Sequence, residues 1–178
     1  RTSLPAHVVC VEAEGIERAN LIDSSPIGAN VRSTVATYAD VHDDLRRAFA
    51  RSATAKQAGF KAGDFSYNTG RLRCPTCDGT GSIALDVQFL PDVTIDCPNC
   101  HGSRYAGAAD AIRCAFDDDN ATAYSLPALM AMSVDEALHA TGKLKKVQTR
   151  LHTLHDLGLG YLTLGEPTPA LSGGEAQR

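Results

Sequence analysis

Four cysteines, arranged as two Cys-x-x-Cys pairs, constrain this chain more than any other feature of its sequence. Cys74 and Cys77 form the first pair, Cys97 and Cys100 form the second, and nineteen residues separate the two pairs. Two cysteines with two residues between them can direct both sulfurs at one ion from a tight turn, and two such turns complete a tetrahedron of thiolates. The spacing therefore predicts a closed, structural Zn²⁺ site with these four residues as ligands.

The residues between the pairs predict a small β-hairpin. Four apolar side chains alternate with smaller or polar ones from Ile83 to Phe89, which predicts a strand with one buried face. Residues 90–92 would form the turn, and Val93 and Ile95 would begin the return strand. A two-stranded hairpin is marginally stable by itself, whereas zinc bound by four thiolates supplies about 10–16 kcal/mol of apparent free energy. We therefore expect zinc to hold this module together.

Other interpretations of the cysteines fit less well. A redox motif needs only one Cys-x-x-Cys pair, and disulfides are typical of secreted proteins, whereas no secretory leader is visible. His101 follows Cys100 directly, but with four thiolates available we expect that it is not a ligand. Cys10 and Cys114 stand alone in the sequence, and we expect both to be small buried apolar residues.

Local signals predict the elements of the first third of the chain. Residues 7–12 resemble a short strand, and Asp40 is a plausible N-cap for a helix that begins at Val41. In that helix the apolar residues fall on one face, while three arginines point toward solvent or a partner: Arg46, Arg47 and Arg51.

Two further helices are predicted in the last third. Ser133 and Glu136 form a capping box, so a helix should begin at Val134. An apolar stripe at spacings of three and four residues predicts a longer helix over 143–157, and Gly158 is well placed to end it. Four basic residues decorate this helix: Lys143, Lys145, Lys146 and Arg150.

The charges are unevenly distributed, although the net charge of −4 by itself argues weakly against nucleic acid. From Arg46 to Arg73 there are seven basic residues and one acid, Asp64, which gives this segment a local charge of +6. A solvated surface and a phosphate-facing surface both fit that pattern. No run of about 18 apolar residues exists, so no membrane span is expected.

The sequence ends with LSGGEAQR, residues 171–178. Ser172 and Glu175 form another capping box, and Gly173 and Gly174 remove Cβ atoms from the first helical turn. Free N–H groups and the positive end of the helix dipole would then face an anion such as phosphate. An ordinary flexible turn before a helix is the alternative. The missing initiator methionine and the abrupt end suggest a piece of a longer protein.

LSGGEAQR resembles the signature motif of ABC-type ATPases, and the chain as a whole resembles the UvrA family, the damage-recognition ATPases of bacterial nucleotide excision repair. The likeness runs along nearly the whole chain, through IDSSPIG (22–28), ATYADVHDDLRRAFA (36–50), FSYN (65–68), FLPDV (89–93), CPNCHGSRY (97–105), MSVDEAL (132–138) and LHDLGLGYLTLGEPTPALSGGEAQR (154–178). The cysteine spacing and FLPD point to the second of the family's two nucleotide-binding halves.

The resemblance implies an α+β fold: a mostly helical ABC signature domain with an inserted C4 zinc-ribbon β-hairpin. Residues 1–73 would form the first part of the signature domain with the basic segment, 74–100 the zinc module, and 101–178 the helical part that ends at the signature motif. The resemblance also implies a cytoplasmic protein that acts as a homodimer, without membrane contact, and works with a UvrB-type partner.

The resemblance further implies one half of a composite ATP site. In such ATPases the serine and glycines of one half close over the γ-phosphate held by the other half. The ATP contacts would come from Ser172, Gly173, Gly174 and Glu175, with Gln177 nearby. The chain has no G-x-x-x-x-G-K-[ST] and no apolar strand that ends in acidic residues. We therefore expect ATP and Mg²⁺ to be used by the complete protein, and this chain to be inactive alone.

UvrA proteins bind damaged double-stranded DNA mainly through its backbone. The candidate phosphate contacts in this chain are Arg32, Lys61, Arg71, Arg73 and Arg104. The sequence departs from the family pattern at Ala29, where a basic residue is usual, and at Gly70-Arg71-Leu72, where Lys/Arg-Gly-Gly is usual. Two alternatives therefore stay open: a UvrA-like paralogue associated with drug resistance, and a zinc-ribbon module that contacts protein rather than DNA.

Overall fold

The fold is mostly helical, with two small antiparallel sheets. The computed structural model describes residues 6–10, 12, 14–18, 30–85, 93–116 and 122–178. The helices in these ranges are α1 (Val35–Tyr38), α2 (Val41–Phe49), α3 (Ala53–Gln57), α4 (Leu126–Met130), α5 (Val134–Ala140), α6 (Lys145–Asp156) and α7 (Gly173–Gln177). Strands β1 (Ser82–Leu85) and β2 (Val93–Asp96) form one sheet, and β3 (Arg113–Cys114) and β4 (Tyr124–Ser125) form the other. The predicted α+β class with a small hairpin is confirmed.

Hydroxyl side chains begin most of these helices. The N-cap residues that accept a hydrogen bond from a backbone N–H of the first turn are Thr34, Ser52, Ser125, Ser133 and Ser172. At α5 the predicted capping box is present: Glu136 N–H donates to Ser133 Oγ at 3.2 Å, and Ser133 N–H donates to Glu136 Oε2 at 2.8 Å. Helix α5 therefore begins at Val134, as predicted.

Helix α2 begins where the sequence predicts, but by a different mechanism. Its apolar face buries Val41, Leu45 and Phe49. Asp40 occupies the N-cap position with a left-handed backbone (φ 57°), and its side chain makes no capping hydrogen bond. The carboxylate instead lies 3.9 Å from the guanidinium of Arg150 on α6. Asp40 thus links two helices rather than closing the end of one.

Helix α6 ends in a glycine turn, as predicted. Gly158 has φ 76°, and the N–H groups of Gly158 and Leu159 donate to the carbonyls of His155 and Leu154 at 2.8 and 3.0 Å. This pair of bonds is the Schellman arrangement, which satisfies carbonyls that the last turn would otherwise leave free. On the predicted apolar stripe, Val147 and Leu151 are buried, whereas Leu157 is 41% exposed.

One hydrophobic cluster joins the segments on either side of the cysteines. Phe49 and Phe65 from the first part pack in one cluster with Leu126 and Leu151 from the last part. His42 and Tyr105 add a buried polar link, because His42 Nε2 lies 2.8 Å from the Tyr105 hydroxyl. Burial lowers the pKa of His42 to about 3, so the imidazole is neutral at physiological pH.

Two predictions near the amino terminus are wrong. Residues 8–10 and 12 form no strand, so the predicted strand over 7–12 is absent from the part of that segment that the structure describes. Cys10 is exposed rather than buried, whereas Cys114 is buried as predicted. The apolar run at this end of the chain pairs with no strand among the described residues. None of the described helices is both long and apolar enough to cross a membrane.

Candidate metal centre and nucleic-acid interface

The four predicted ligand sulfurs meet at one point. Their Sγ atoms all lie within 4.8 Å of one another, and all four residues are buried. Cys74 Sγ lies 3.9 Å from Cys97 Sγ, and Cys77 Sγ lies 3.7 Å from Cys100 Sγ. A tetrahedral zinc with Zn–S near 2.3 Å would set its ligand sulfurs about 3.8 Å apart. The cluster can therefore hold a metal ion, and its size fits zinc.

The two cysteine turns have the same backbone and bond to each other reciprocally. Cys74 N–H donates to the carbonyl of Arg104, and Cys97 N–H donates to the carbonyl of Gly81, both at 2.9 Å. Asp78 and His101, which follow the second cysteine of each turn, have φ values of 50° and 48°. The repeated pattern Cys-Pro-x-Cys-x-Gly is the sequence signal for this equivalence. Each turn thus fixes the position of the other.

Two of the four sulfurs accept hydrogen bonds from groups outside the cluster. Gly81 N–H donates to Cys77 Sγ at 3.3 Å, and the Asn99 amide lies 3.8 Å from Cys74 Sγ. Burial alone would raise the pKa of the Cys74 thiol, but hydrogen bonds from the backbone N–H groups of Cys77 and Thr76 lower it to about 6. Burial and hydrogen bonds with the other cysteines raise the pKa of the Cys100 thiol. Because thiolate is the form that binds a metal, binding of an ion would displace a proton from Cys100.

The hairpin that follows the first cysteine turn does not have the predicted buried face. Ile83 pairs with Ile95 and Leu85 pairs with Val93, so these four side chains share one face of the sheet. Ile83 packs against the cysteine cluster, but Leu85, Val93 and Ile95 are 40%, 42% and 40% exposed. Val87, Phe89 and the predicted turn at 90–92 lie outside the described residues.

Arg32 and Arg73, two of the predicted phosphate contacts, lie together beside the first cysteine turn. Both pair with Asp78: Arg32 Nη2 lies 3.1 Å from Oδ2, and Arg73 Nη1 lies 2.8 Å from Oδ1. Arg32 also donates to the Asp78 carbonyl at 2.7 Å. One carboxylate cannot neutralise two guanidinium groups, so this cluster keeps a net charge of +1.

Arg71 and Lys61 lie nearby and differ in their partners. Arg71 lines a shallow pocket together with Arg73. Its Nε donates to Asp64 Oδ1 at 2.7 Å, and its guanidinium carbon lies 5.0 Å from the centre of the Phe60 ring. Lys61 is exposed and, within the described ranges, has no ion pair. The structure thus brings Arg71 to the cluster around Asp78 but gives it a carboxylate of its own.

Arg104 does not lie on the surface, and the prediction that it contacts phosphate is not supported. The residue is only 4% exposed. Its Nη1 donates to the carbonyl of Val31 at 3.1 Å, and its guanidinium carbon lies 5.2 Å from the centre of the Tyr67 ring. The guanidinium therefore joins the second cysteine turn to the rest of the domain.

The positive charge of the basic segment is partly neutralised in the fold. Arg46 pairs with Asp43, and Arg47 Nη1 lies 3.1 Å from Asp44 Oδ1. These aspartates and Asp78 lie just outside the window from 46 to 73, so counting charges within that window overestimates the local field.

The terminal signature residues form the predicted turn and a short helix. Ser172 caps α7: Glu175 N–H donates to Ser172 Oγ at 3.3 Å, and Ser172 N–H donates to Glu175 Oε2 at 2.6 Å. The Tyr161 hydroxyl donates to the other oxygen of Glu175 at 2.5 Å, and this bond lowers the pKa of Glu175. Nothing lies within 4 Å of the position a Gly174 Cβ would take. No sequence signal identifies Tyr161 as a partner of this turn.

Comparison with curated proteins decides the family. The chain is 44% identical over 165 residues to UvrABC system protein A of Streptococcus pyogenes serotype M6, and 42% identical over 165 residues to that of Streptococcus pneumoniae serotype 4. Each match covers 93% of this chain. The chain belongs to the UvrA family. It spans 17% of the length of these UvrA relatives. No protein-family profile matches it.

A solved UvrA-type structure has the same fold. The crystal structure of UvrA2 from Deinococcus radiodurans matches with a TM-score of 0.78 and 38% sequence identity. The match covers 88% of this chain and 18% of that chain. The resemblance stated from sequence motifs is therefore confirmed by overall sequence identity and by fold.

Proposed function

We propose that this chain is the zinc-containing signature domain of a UvrA-type excision-repair ATPase, which contacts duplex DNA and contributes one half of a composite ATP site. The observation that carries the proposal is 44% identity to a UvrABC system protein A over 93% of the chain. The four-thiolate cluster and the capped glycine turn at Ser172 are the two features of the chain that fit this role.

Zinc fits the donor set best. Four buried cysteines close the coordination sphere and leave no position for a reactive water, so the bound ion would be structural. In this role Cys74, Cys77, Cys97 and Cys100 hold the two turns together, and the ion stabilises a hairpin whose own packing is small.

The DNA contact is assigned to the basic surface beside the cysteine module. Arg32 and Arg73 flank a single carboxylate, Asp78, and Arg71 lines the same side of the module. Phosphate oxygens can compete for guanidinium groups that share one acid, because a phosphate offers a full negative charge in bidentate geometry. Lys61 adds an exposed cation. Contacts of this kind position a protein on the backbone without reading base sequence.

The ATP contact is assigned to the first turn of α7. Ser172, Gly173 and Gly174 are exposed, and the open space around Gly174 allows a phosphate to approach the backbone closely. Glu175 is held by Ser172 and Tyr161, and Gln177 lies on the same short helix. We expect the triphosphate and Mg²⁺ to be held by a second nucleotide-binding half, within a homodimeric assembly that works with a UvrB-type partner.

Duplex binding by the purified chain tests the DNA assignment. Fluorescence anisotropy with a labelled 30-base-pair duplex should show binding that weakens steeply with salt, because phosphate contacts release counterions. The double variant R32A/R73A should lower the slope of log Kd against log[NaCl] by about 2. Lys56→Ala, which removes an exposed cation on α3, is the matched control and should leave the slope unchanged. If the slope of log Kd against log[NaCl] is the same for R32A/R73A as for the control, these arginines do not contact the DNA.

A protein-binding module is the second candidate, and the hairpin favours it. Leu85, Val93 and Ile95 present an exposed apolar face on β1 and β2. Exposed apolar patches of this kind are typical of protein interaction sites. Absence of salt-dependent duplex binding by the wild-type chain would favour this candidate over DNA contact.

A further inference from the structure

A second basic surface lies between α2 and the start of α6, on elements that take no part in the cysteine module. A groove of about 430 Å³ opens there. Among the described residues its lining has five basic side chains and one acidic one, a net charge of +4; the basic ones are Arg47, Arg51, Lys143, Lys145 and Lys146. All five are exposed. Such a concentration of one sign of charge in a concave surface favours an anionic ligand.

Asp44, the acid among the described residues of the groove, is already engaged. Asp44 accepts a hydrogen bond from Arg47 Nη1 at 3.1 Å and another from Arg150 Nη1 at 2.7 Å, one on each carboxylate oxygen. Arg51, Lys145 and Lys146 have no ion pair in the part of the chain that the structure describes. These three cations are therefore available to a ligand.

The start of α6 adds to the positive field. This helix has twelve residues, Leu144 provides no capping hydrogen bond, and the first turn has no acidic residue. Among the described residues no side chain caps its first N–H groups, and the helix dipole reinforces the charge of the lysines. Lysines at the positive end of a helix oppose its stability, so folding does not explain Lys145 and Lys146.

We propose that this groove binds phosphates of the duplex DNA backbone, as a second contact beside the cluster of Arg32 and Arg73. The proposal rests on the proposed function, that the chain contacts DNA. Among its described residues the groove lining has no aromatic ring to stack on a base, and its cations lie on long, exposed side chains. Arg47 lies in the last turn of α2, Arg51 follows shortly after the end of that helix, and both line the groove. A row of phosphates fits this surface better than a single nucleotide.

The test compares a groove variant with a variant that loses exposed charges elsewhere. R51A/K145A/K146A removes the three available cations, and K56A/R113A removes two exposed cations on α3 and β3. Lys143 is left unchanged, so that the groove variant removes only the three cations without an ion pair in the described ranges. Each variant of the whole 178-residue chain is purified with zinc. Zinc content and urea unfolding midpoints establish that it is folded.

Anisotropy with a 30-base-pair duplex between 50 and 300 mM NaCl gives the readout. The groove variant should bind about tenfold more weakly or worse at 100 mM NaCl, and its slope of log Kd against log[NaCl] should fall by about 3, since each lost phosphate contact removes about one unit. The K56A/R113A control should keep the wild-type slope. A fall of this size in the slope for a groove variant that folds normally supports the proposal.

The remaining outcomes separate this proposal from the proposed function. If the groove variant binds like the control while R32A/R73A is weakened, the groove proposal is overturned and the DNA contact at the cysteine module stands. If the wild-type chain shows no salt-dependent duplex binding, the DNA contact itself is overturned. Calorimetric titration with inorganic tripolyphosphate tests whether the groove binds a free phosphate ligand. Tripolyphosphate binding as tight as duplex binding, and lost in the groove variant, would assign the groove to a free phosphate ligand instead of DNA.

Discussion

Arg104 places its guanidinium carbon 5.2 Å from the centre of the Tyr67 ring, inside the domain. The same side chain donates to the carbonyls of Val31 and Gly79 at 3.1 and 3.4 Å. Burial lowers the pKa of Arg104 from its ordinary value. The ring and the two carbonyls replace part of the lost hydration and so stabilise the charged guanidinium. The contact ties the second cysteine turn to the loop that carries Arg32.

The first prediction follows from this contact. Arg104→Ala should lower the free energy of unfolding by about 2–3 kcal/mol, because hydrogen bonds from a charged donor and a desolvated cation–π contact are lost together. Urea unfolding of the zinc-loaded chain measures the change. Arg113→Ala, at an exposed arginine on β3, is the control and should stay within about 0.5 kcal/mol of wild type. Equal stability of the two variants would show that Arg104 contributes nothing to the fold.

A second prediction concerns two glycines that share a left-handed backbone. Gly79 and Gly59 have φ values of 78° and 69°. A Cβ on Gly79 would lie 1.7 Å from the Tyr67 carbonyl oxygen, whereas a Cβ on Gly59 would meet nothing within 4 Å. Gly59→Ala should therefore cost only the left-handed penalty of about 1–2 kcal/mol. Gly79→Ala should cost clearly more, because the first cysteine turn must move away from Tyr67. Thermal unfolding of both variants decides this, and equal Tm values would contradict the close approach.

Features whose physical cause is local could be predicted from the sequence. The capping boxes at Ser133 and Ser172 and the glycine turn at Gly158 each depend on residues within one helical turn. The direction of the cysteine sulfurs could be predicted in the same way, because the local geometry of a Cys-x-x-Cys turn points its two sulfurs at one place.

Features that depend on tertiary contacts could not be predicted. Asp78 pairs with Arg32 across 46 positions of sequence, and Arg150 meets Asp44 across 106. No count of charges in a window registers such partners. The basic segment is less positive than its count for a simpler reason, because Asp43, Asp44 and Asp78 lie just outside the window. Alternation in β1 and β2 shows that one face is apolar, but it cannot show whether the same chain covers that face. Leu85 is 40% exposed, although its place in the alternation predicts burial.

The third prediction tests the metal and its ligands. The wild-type chain should contain one zinc ion per molecule, and Cys97→Ser should contain none, because a hydroxyl cannot replace a thiolate in this site. His101→Asn is the matched control: asparagine tolerates the left-handed backbone of this position, φ 48°, and removes the only imidazole next to a ligand. Atomic absorption after gel filtration measures the content. Zinc loss in His101→Asn equal to that in Cys97→Ser would make His101 a ligand. Acid should release the ion, since protons compete for the thiolates.

The fourth prediction is a pH dependence of stability at the α5–α6 contact. His155 Nδ1 lies 2.7 Å from Asp135 Oδ1, and this hydrogen bond raises the pKa of His155 above its ordinary value. The folded state thus binds the proton more tightly than the unfolded state. The stabilisation is fully present below the unfolded pKa, about 6.5, and is lost as the pH rises through the folded pKa.

Urea unfolding at pH 5.5 and pH 8.5 measures this effect. His155→Gln should be less stable than wild type at pH 5.5, and the difference should shrink at pH 8.5. His152→Gln, which removes an exposed imidazole from the same helix, is the control for loss of an imidazole as such. A difference between His155→Gln and wild type that is independent of pH would rule out a charged pair with Asp135.

The fifth prediction concerns the stability of α6 itself. Lys145 and Lys146 stand in the first turn, where the helix dipole disfavours positive charge. K145A/K146A should therefore raise the free energy of unfolding by about 0.3–1 kcal/mol for each lysine removed. Lys56 lies in the last turn of α3, where a cation is favourable, so Lys56→Ala should have the opposite sign. Both effects should shrink in 1 M NaCl, because salt screens exposed charges. A destabilised K145A/K146A would mean that the lysines serve the fold, and the argument that they are retained for a ligand would fail.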